Sequence, residues 1–219
     1  MSYYEDYFVS KNVDFYEVDG IVNKEKWVLS KSKILFILKE TAGYKKSKFY
    51  LKDEIPCWID DNVPTYVKIA KLVLLIEKSL ADNKVFSDNE LKIISSTKEE
   101  LKEYIEYCSV ININKESVEH KSNDQLVYTK YLENKELLQQ QIIEIQPRIV
   151  VVGSDVCWKC ISYETNGLYS DYQLKGIKKH KAVKAKGIIF YHANHPSAWT
   201  QGGFNVRNIY RSIMEFNSL

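Results

Sequence analysis

The sequence has no long apolar run, little cysteine and almost no imbalance of charge, and each shortage removes a class of function. No apolar stretch comes near the roughly 20 residues needed to cross a bilayer. Glu5 and Asp6 stand ahead of any apolar run, so neither a membrane helix nor a secretory leader is expected and the chain is read as cytoplasmic. Of the four cysteines, Cys157 and Cys160 form a Cys-Trp-Lys-Cys pair, while Cys57 and Cys108 are far away and form no second pair. Two reduced thiols one turn apart on a helix account for this better than a zinc or iron-sulfur site, so no metal and no cofactor is expected. Pro/Gly/Ser-rich linkers, internal repeats and low-complexity segments are missing as well. The 219 residues are therefore read as one domain, 1–219.

Lysine and arginine number 31 against 29 acids, a net charge of +2 that argues neither for nor against a polyanionic partner. The distribution is less even. Lys175, Lys178, Lys179, His180, Lys181, Lys184 and Lys186 crowd together without a carboxylate, as a solvated loop or a phosphate-binding rim would. Apolar residues make up 45% of the chain and charged residues 27%, which excludes disorder as the general state.

What is present is a series of short apolar runs, each ending in polar residues. Ile34 to Leu38 lack the alternation of a half-exposed strand, so both faces should be covered, as in a parallel sheet between helices. The run passes directly into Lys39, Glu40, Thr41, Ala42 and Gly43. Cys108–Asn112, Arg148–Val152 and Gly187–Tyr191 end similarly, in Asn114 and Lys115, in Gly153 and Ser154, and in His192, Asn194 and His195. Helices are expected from Pro64, over Glu99–Tyr107, over Asn123–Ile145 with an interruption near Asn134, after Ser154, and over Val206–Phe216. Residues 1–30, rich in aromatics and acids, are expected to be helical packing. Tyr44 through Asp61 should be a long loop over the crevice, and Tyr163–Lys186 loop or irregular structure. The expected fold is α/β: three layers around a central four-stranded parallel sheet of order 2-1-3-4.

Ligands of such sheets bind outside the carboxyl ends of the strands, where a carboxylate (Glu40), an amide (Asn112) and an imidazole (His195, with His192 as the other choice) should converge. Phosphate-loop and dinucleotide motifs are missing after the first strand, and Val152-Gly153-Ser154-Asp155 lacks the second glycine of a serine-hydrolase elbow.

Four segments in order carry a resemblance. Lys39-Glu40-Thr41-Ala42-Gly43 is in register with a Gly-Glu-Ala-Pro-Gly motif, and Asn112-Ile113-Asn114-Lys115 reproduces an Asn followed after two residues by Lys. Ile142–Gly153 has the pattern of helix, proline, strand and glycine, and His195-Pro196-Ser197 is intact. Over residues 33–200 the chain thus resembles the uracil-DNA glycosylase superfamily, particularly its bacterial and archaeal branch. It departs from that branch at Lys39 and Ala42, which replace glycine and proline, and in lacking the four cysteine ligands of a cluster.

The resemblance implies a monofunctional DNA N-glycosylase that flips and excises uracil or a modified pyrimidine. Glu40 would stabilise the sugar cation and position water, and His195 would donate to the base carbonyl oxygen. Asn112 would read the base edge, Phe49 or Trp58 would stack on the base, and Lys39 would border the pocket. Ser197, Lys115 and the cluster of Lys178, Lys179 and Lys181 would hold phosphates, with Trp199 as the duplex wedge. DNA is the implied partner, and nothing in the chain forces a dimer. A catalytically weak or inactive nucleic-acid sensor of the same fold, possibly acting against foreign DNA, is the alternative.

Overall fold

Ile34–Leu38 have no polar side chain to offer water, and they form a strand, β3, that is buried throughout. A computed structural model of the protein describes residues 16–42, 48–116, 123–164, 172–173, 181–185, 187–197 and 205–217. In it β3 lies between β5 (Ser109–Asn112) and β6 (Ile149–Val152), and β9 (Ile188–His192) lies beyond β6. These four strands run parallel, with Phe36 opposite both Val110 and Val151, and Val151 opposite Tyr191.

The sheet does not stop at four strands, which corrects the expected architecture. β2 (Gly20–Ile21) adds antiparallel to β5 at one edge, and β8 (Lys181–Ala185) and β7 (Tyr172–Gln173) add antiparallel beyond β9 at the other, giving seven strands and a mixed sheet. β8 lies within the segment expected to be loop. The lysines of its Lys-Ala-Val-Lys-Ala sequence break the apolar run that marks the parallel strands, and that conceals the strand in the sequence.

Other boundaries also move. Residues 16–30 are not simply helical: β1 (Tyr16–Val18) and β2 precede one short helix, α1 (Lys24–Leu29), capped by the Asn23 side chain. The expected loop over the crevice contains β4 (Lys48–Tyr50), paired in parallel with β1, and α2 (Leu51–Asp60). Pro56 inside α2 disguises it, yet Leu51, Ile55 and Ile59 recur every fourth residue and all are buried. The helix over Asp124–Ile145, α6, runs without interruption, because Asn134 is buried and donates its amide to Ile113 O at 3.1 Å.

Alternation along the central strands divides two cores. Ile34, Phe36 and Leu38 face α3 (Pro64–Asp82), α5 (Lys98–Ile105) and α8 (Val206–Asn217), with Leu91 of α4 (Asp88–Ile93) joining the same core. Leu35 and Ile37 face α6, α7 (Asp155–Glu164) and Trp27. The four parallel strands are covered on both faces, which is why they read as unbroken apolar runs.

Candidate functional site

Backbone hydrogen bonds continue past the ends of the parallel strands and hold the following segments together. Ile113 N donates to Leu38 O at 3.0 Å and Asn114 N to Lys39 O at 2.8 Å; Gly153 N donates to Ile37 O and Ala193 N to Val152 O, each at 2.9 Å. A β-carbon at Gly153 would stand 2.7 Å from Leu38 Cδ2 and 3.4 Å from Pro196 Cδ, so glycine lets the turn after β6 close against its neighbours. On the far side Lys68 of α3 donates to Pro196 O at 2.7 Å and holds the His-Pro-Ser turn in place.

A cavity of about 730 Å³ opens at this edge and is lined by Lys39, Glu40, Trp58, His195 and Ser197, five of the residues expected from the sequence. Glu40 is half-buried directly after β3. His195 is held by its own turn: Ser197 N–H donates to Nδ1 at 3.2 Å, and Ser197 Oγ lies 2.8 Å from the same nitrogen. Nδ1 is therefore an acceptor, and the ring hydrogen is carried by Nε2. Trp58 stacks on Tyr66 with ring centroids 4.8 Å apart, making an aromatic wall. Lys39 Nζ lies 3.5 Å from the exposed carboxylate of Asp124 at the cavity rim.

His192 is placed differently. Its Nε2 is 2.9 Å from Asp155 Oδ1 and its ring stacks on Trp158, with centroids 5.1 Å apart, so it belongs to a pair beside the cavity and does not line it.

The chain matches no protein-family model and no curated protein. The site has to be argued from its own chemistry.

Three expected site residues are elsewhere. Phe49 is a core residue, 3% exposed, because β4 turns it inward. Lys115 is fully buried and cannot meet an external phosphate; its ammonium lies 2.7 and 2.9 Å from the two oxygens of Asp19. Asn112, 1% exposed, donates its side-chain amide to Glu17 and, at 3.2 Å, to Thr41 Oγ1, so it stands behind the cavity and not in its wall. Trp199, Lys178 and Lys179 lie outside the described residues; Lys181 begins β8.

The same contacts reveal residues that sequence reasoning missed. Glu17 in β1 and Asp19 just after it enter a buried cluster with Asn112, Lys115 and Gln141, whose Nε2 donates to Asp19 Oδ1 at 2.9 Å. Burial, and then the neighbouring Asp19, push the Glu17 carboxyl up to about 8. Burial pulls Lys115 down against the opposing attraction of Asp19 and Glu17. Thr41 connects this cluster to the cavity: it accepts from the Asn112 amide at 3.2 Å and lines the cavity beside Tyr66. The one signal in the sequence was the alternation Tyr16-Glu17-Val18-Asp19, which puts two acids on one side of an extended segment.

The thiols of the Cys-Trp-Lys-Cys pair are free and buried. Burial raises both, Cys160 to about 12, which leaves them protonated thiols.

Proposed function

We infer that the chain is a DNA glycosylase that accepts a flipped uracil or modified pyrimidine and hydrolyses its N-glycosidic bond, as a divergent relative of the uracil-DNA glycosylases. One observation carries this reading: Glu40 from the end of β3 and His195 from the segment after β9 border one cavity, beside the aromatic wall of Trp58 and Tyr66. The parallel strands β5-β3-β6-β9 also support it, since their carboxyl ends bring the segments that carry Glu40 and His195 to one edge of the sheet.

Cleavage sends the electron pair of the C–N bond onto the base and leaves positive charge on the sugar. The Glu40 carboxylate stabilises that charge and orients a water, whose oxygen bonds to the sugar carbon as its proton passes to Glu40 and from there to solvent, while the base leaves with the bonding pair and is protonated by solvent. His195, its Nδ1 occupied by the Ser197 N–H, offers Nε2–H to the base oxygen on which negative charge develops. Trp58 supplies a face for the base, and Ser197 a hydroxyl for the flanking phosphate. The protein acts as a cytoplasmic monomer on DNA. Among the described residues no helix is long and apolar enough to cross a membrane.

A second reading, a nucleic-acid sensor with little or no turnover, is favoured by Asn112, whose amide is committed to Glu17 and Thr41 and so is withdrawn from base recognition. A single-turnover assay separates the two. Single- and double-stranded oligonucleotides containing uracil, hypoxanthine or modified cytosines are incubated with enzyme, and abasic sites are cleaved with alkali. The wild type is expected to yield product and Glu40→Gln to lose it by about a hundredfold or more while still binding DNA. No product from any substrate, with DNA still bound, would establish the sensor.

A further inference from the structure

Three helices begin at the cavity. Val63, Pro64 and Thr65 at the start of α3, Asp124 at the start of α6, and Ser154 and Asp155 at the start of α7 all line it. Each helix start carries partial positive charge and N–H groups that no preceding turn satisfies. Two of the three are already answered. At α6 the Asn123 side chain accepts from Leu126 N at 2.8 Å and Asp124 stands in the first turn; at α7 the Ser154 hydroxyl accepts from Cys157 N at 3.2 Å and Asp155 stands in the first turn. These two acids are themselves accompanied, Asp124 by Lys39 at 3.5 Å and Asp155 by His192 at 2.9 Å. The start of α3, a helix of 19 residues, is not answered: Val63 gives no side-chain cap and the first turn holds no acid. Among the described helices α3 alone lacks both. Tyr66 N and Val67 N turn back to Val63 O at 3.1 and 3.2 Å, Pro64 has no N–H, and Thr65 N–H has no acceptor among the described residues.

An independent observation lies at the same point. The Thr65 side chain is only 9% exposed, it lines the cavity, and its hydroxyl has no hydrogen-bond partner among the described residues. A hydroxyl largely hidden from bulk water and left unpaired costs free energy that a ligand in the cavity would recover. Lys68, three residues on and therefore on the same face of α3, uses one of its three N–H groups on Pro196 O at 2.7 Å, which sets this face against the turn that carries Ser197. A free N–H, a hydroxyl, an ammonium and a helix start thus share one side of α3, and all of them suit an anion.

We propose that the start of α3 is a phosphate subsite of the cavity, in which Thr65 N–H and Oγ1–H donate to one phosphate of the bound nucleotide and Lys68 supplies counter-charge. The proposal rests on the cavity taking a nucleotide, as in the proposed function. It makes a phosphate, and not the base alone, part of what is recognised, so a nucleotide binds better than its nucleoside. Such a phosphate belongs either to a free monophosphate or to the backbone of DNA, and the experiment separates the two.

The test measures binding of inorganic phosphate, deoxyuridine, deoxyuridine monophosphate and an oligonucleotide with one uracil to the full chain, by calorimetry and by the amide resonance of Thr65 in nuclear magnetic resonance spectra. Inorganic phosphate is expected to move the Thr65 resonance, and a phosphorylated ligand to bind roughly tenfold or more tighter than deoxyuridine. Thr65→Val keeps the shape of the side chain without its hydroxyl; it should lose roughly tenfold for phosphorylated ligands and nothing for deoxyuridine, which also shows that the variant is folded. Thr65→Ser should bind as the wild type does. A loss seen with the monophosphate assigns the subsite to a free nucleotide, and a loss confined to the oligonucleotide assigns it to the DNA backbone; either supports the proposal. A Thr65 resonance that phosphate leaves in place, or a Thr65→Val variant that binds both phosphorylated ligands like the wild type, overturns it. If deoxyribose phosphate without a base binds as tightly as the monophosphate, while phosphate still moves the Thr65 resonance, the phosphate subsite stands and the nucleobase reading of the cavity fails.

Discussion

At the scale of single residues the buried Glu17 carboxyl sets a stability dependence that can be measured without any substrate. Its carboxyl titrates near an ordinary 4.5 when unfolded and is pushed up to about 8 when folded, so between these values the native state binds the extra proton. Stability is greatest below the lower value and falls as pH rises through the window, by at most about 1.4 kcal/mol per pH unit from this group. Glu17→Gln removes the titration. Thermal unfolding midpoints recorded between these two values should fall for the wild type and remain flatter for the variant; parallel curves would assign the pH dependence to other groups. Glu40, which is half-buried, and His195, whose Nδ1 is engaged by Ser197, were legible from the sequence because both immediately follow apolar runs. Glu17 and Thr41 were not, because both are placed by the amide of Asn112, far away in the chain.

At the scale of elements, the turn that launches β3 depends on one acid of α3. Glu77, 7% exposed, accepts from Ser30 Oγ at 2.7 Å, Lys31 N at 3.1 Å, Ser32 N at 3.0 Å and Ser32 Oγ at 2.6 Å. Glu77→Ala would strand several donors in a closed turn and should cost about 3 kcal/mol, read as a lower urea midpoint with little change in slope. Glu77→Gln should also destabilise, because an amide N–H would replace one of the acceptor oxygens. The helices with a clear apolar face or a start signal could be located in advance, as Pro64 at the first turn of α3 illustrates. Those with conflicting local signals could not. Pro56 argues against α2 and Asn134 against an unbroken α6, and in each case burial of the opposite face outweighs local preference.

At the scale of the whole molecule, both cores are built on the same sheet. Phe36 points into one and Ile37 into the other, and each is fully buried. Phe36→Ala and Ile37→Ala should therefore each destabilise the whole described fold, by about 3 to 5 kcal/mol, and not one layer alone. Tryptophan fluorescence and far-ultraviolet circular dichroism should report one shared transition in either variant; separate transitions would mean that the two faces unfold independently. The sequence by itself determined the parallel strands and the polar segments that follow them, because burial on both faces leaves an unbroken apolar run that stops where the polar residues begin. Only the tertiary structure decided which polar residues enter the cavity. Asn112 and Lys115 lie close together in the chain and belong to the same motif, but the side chains of Glu17 and Asp19, brought in by β1 from nearly a hundred residues away, draw them behind the wall and leave Thr41 and Tyr66 in their place. Such pairing is set by packing between distant segments, which local sequence pattern does not encode.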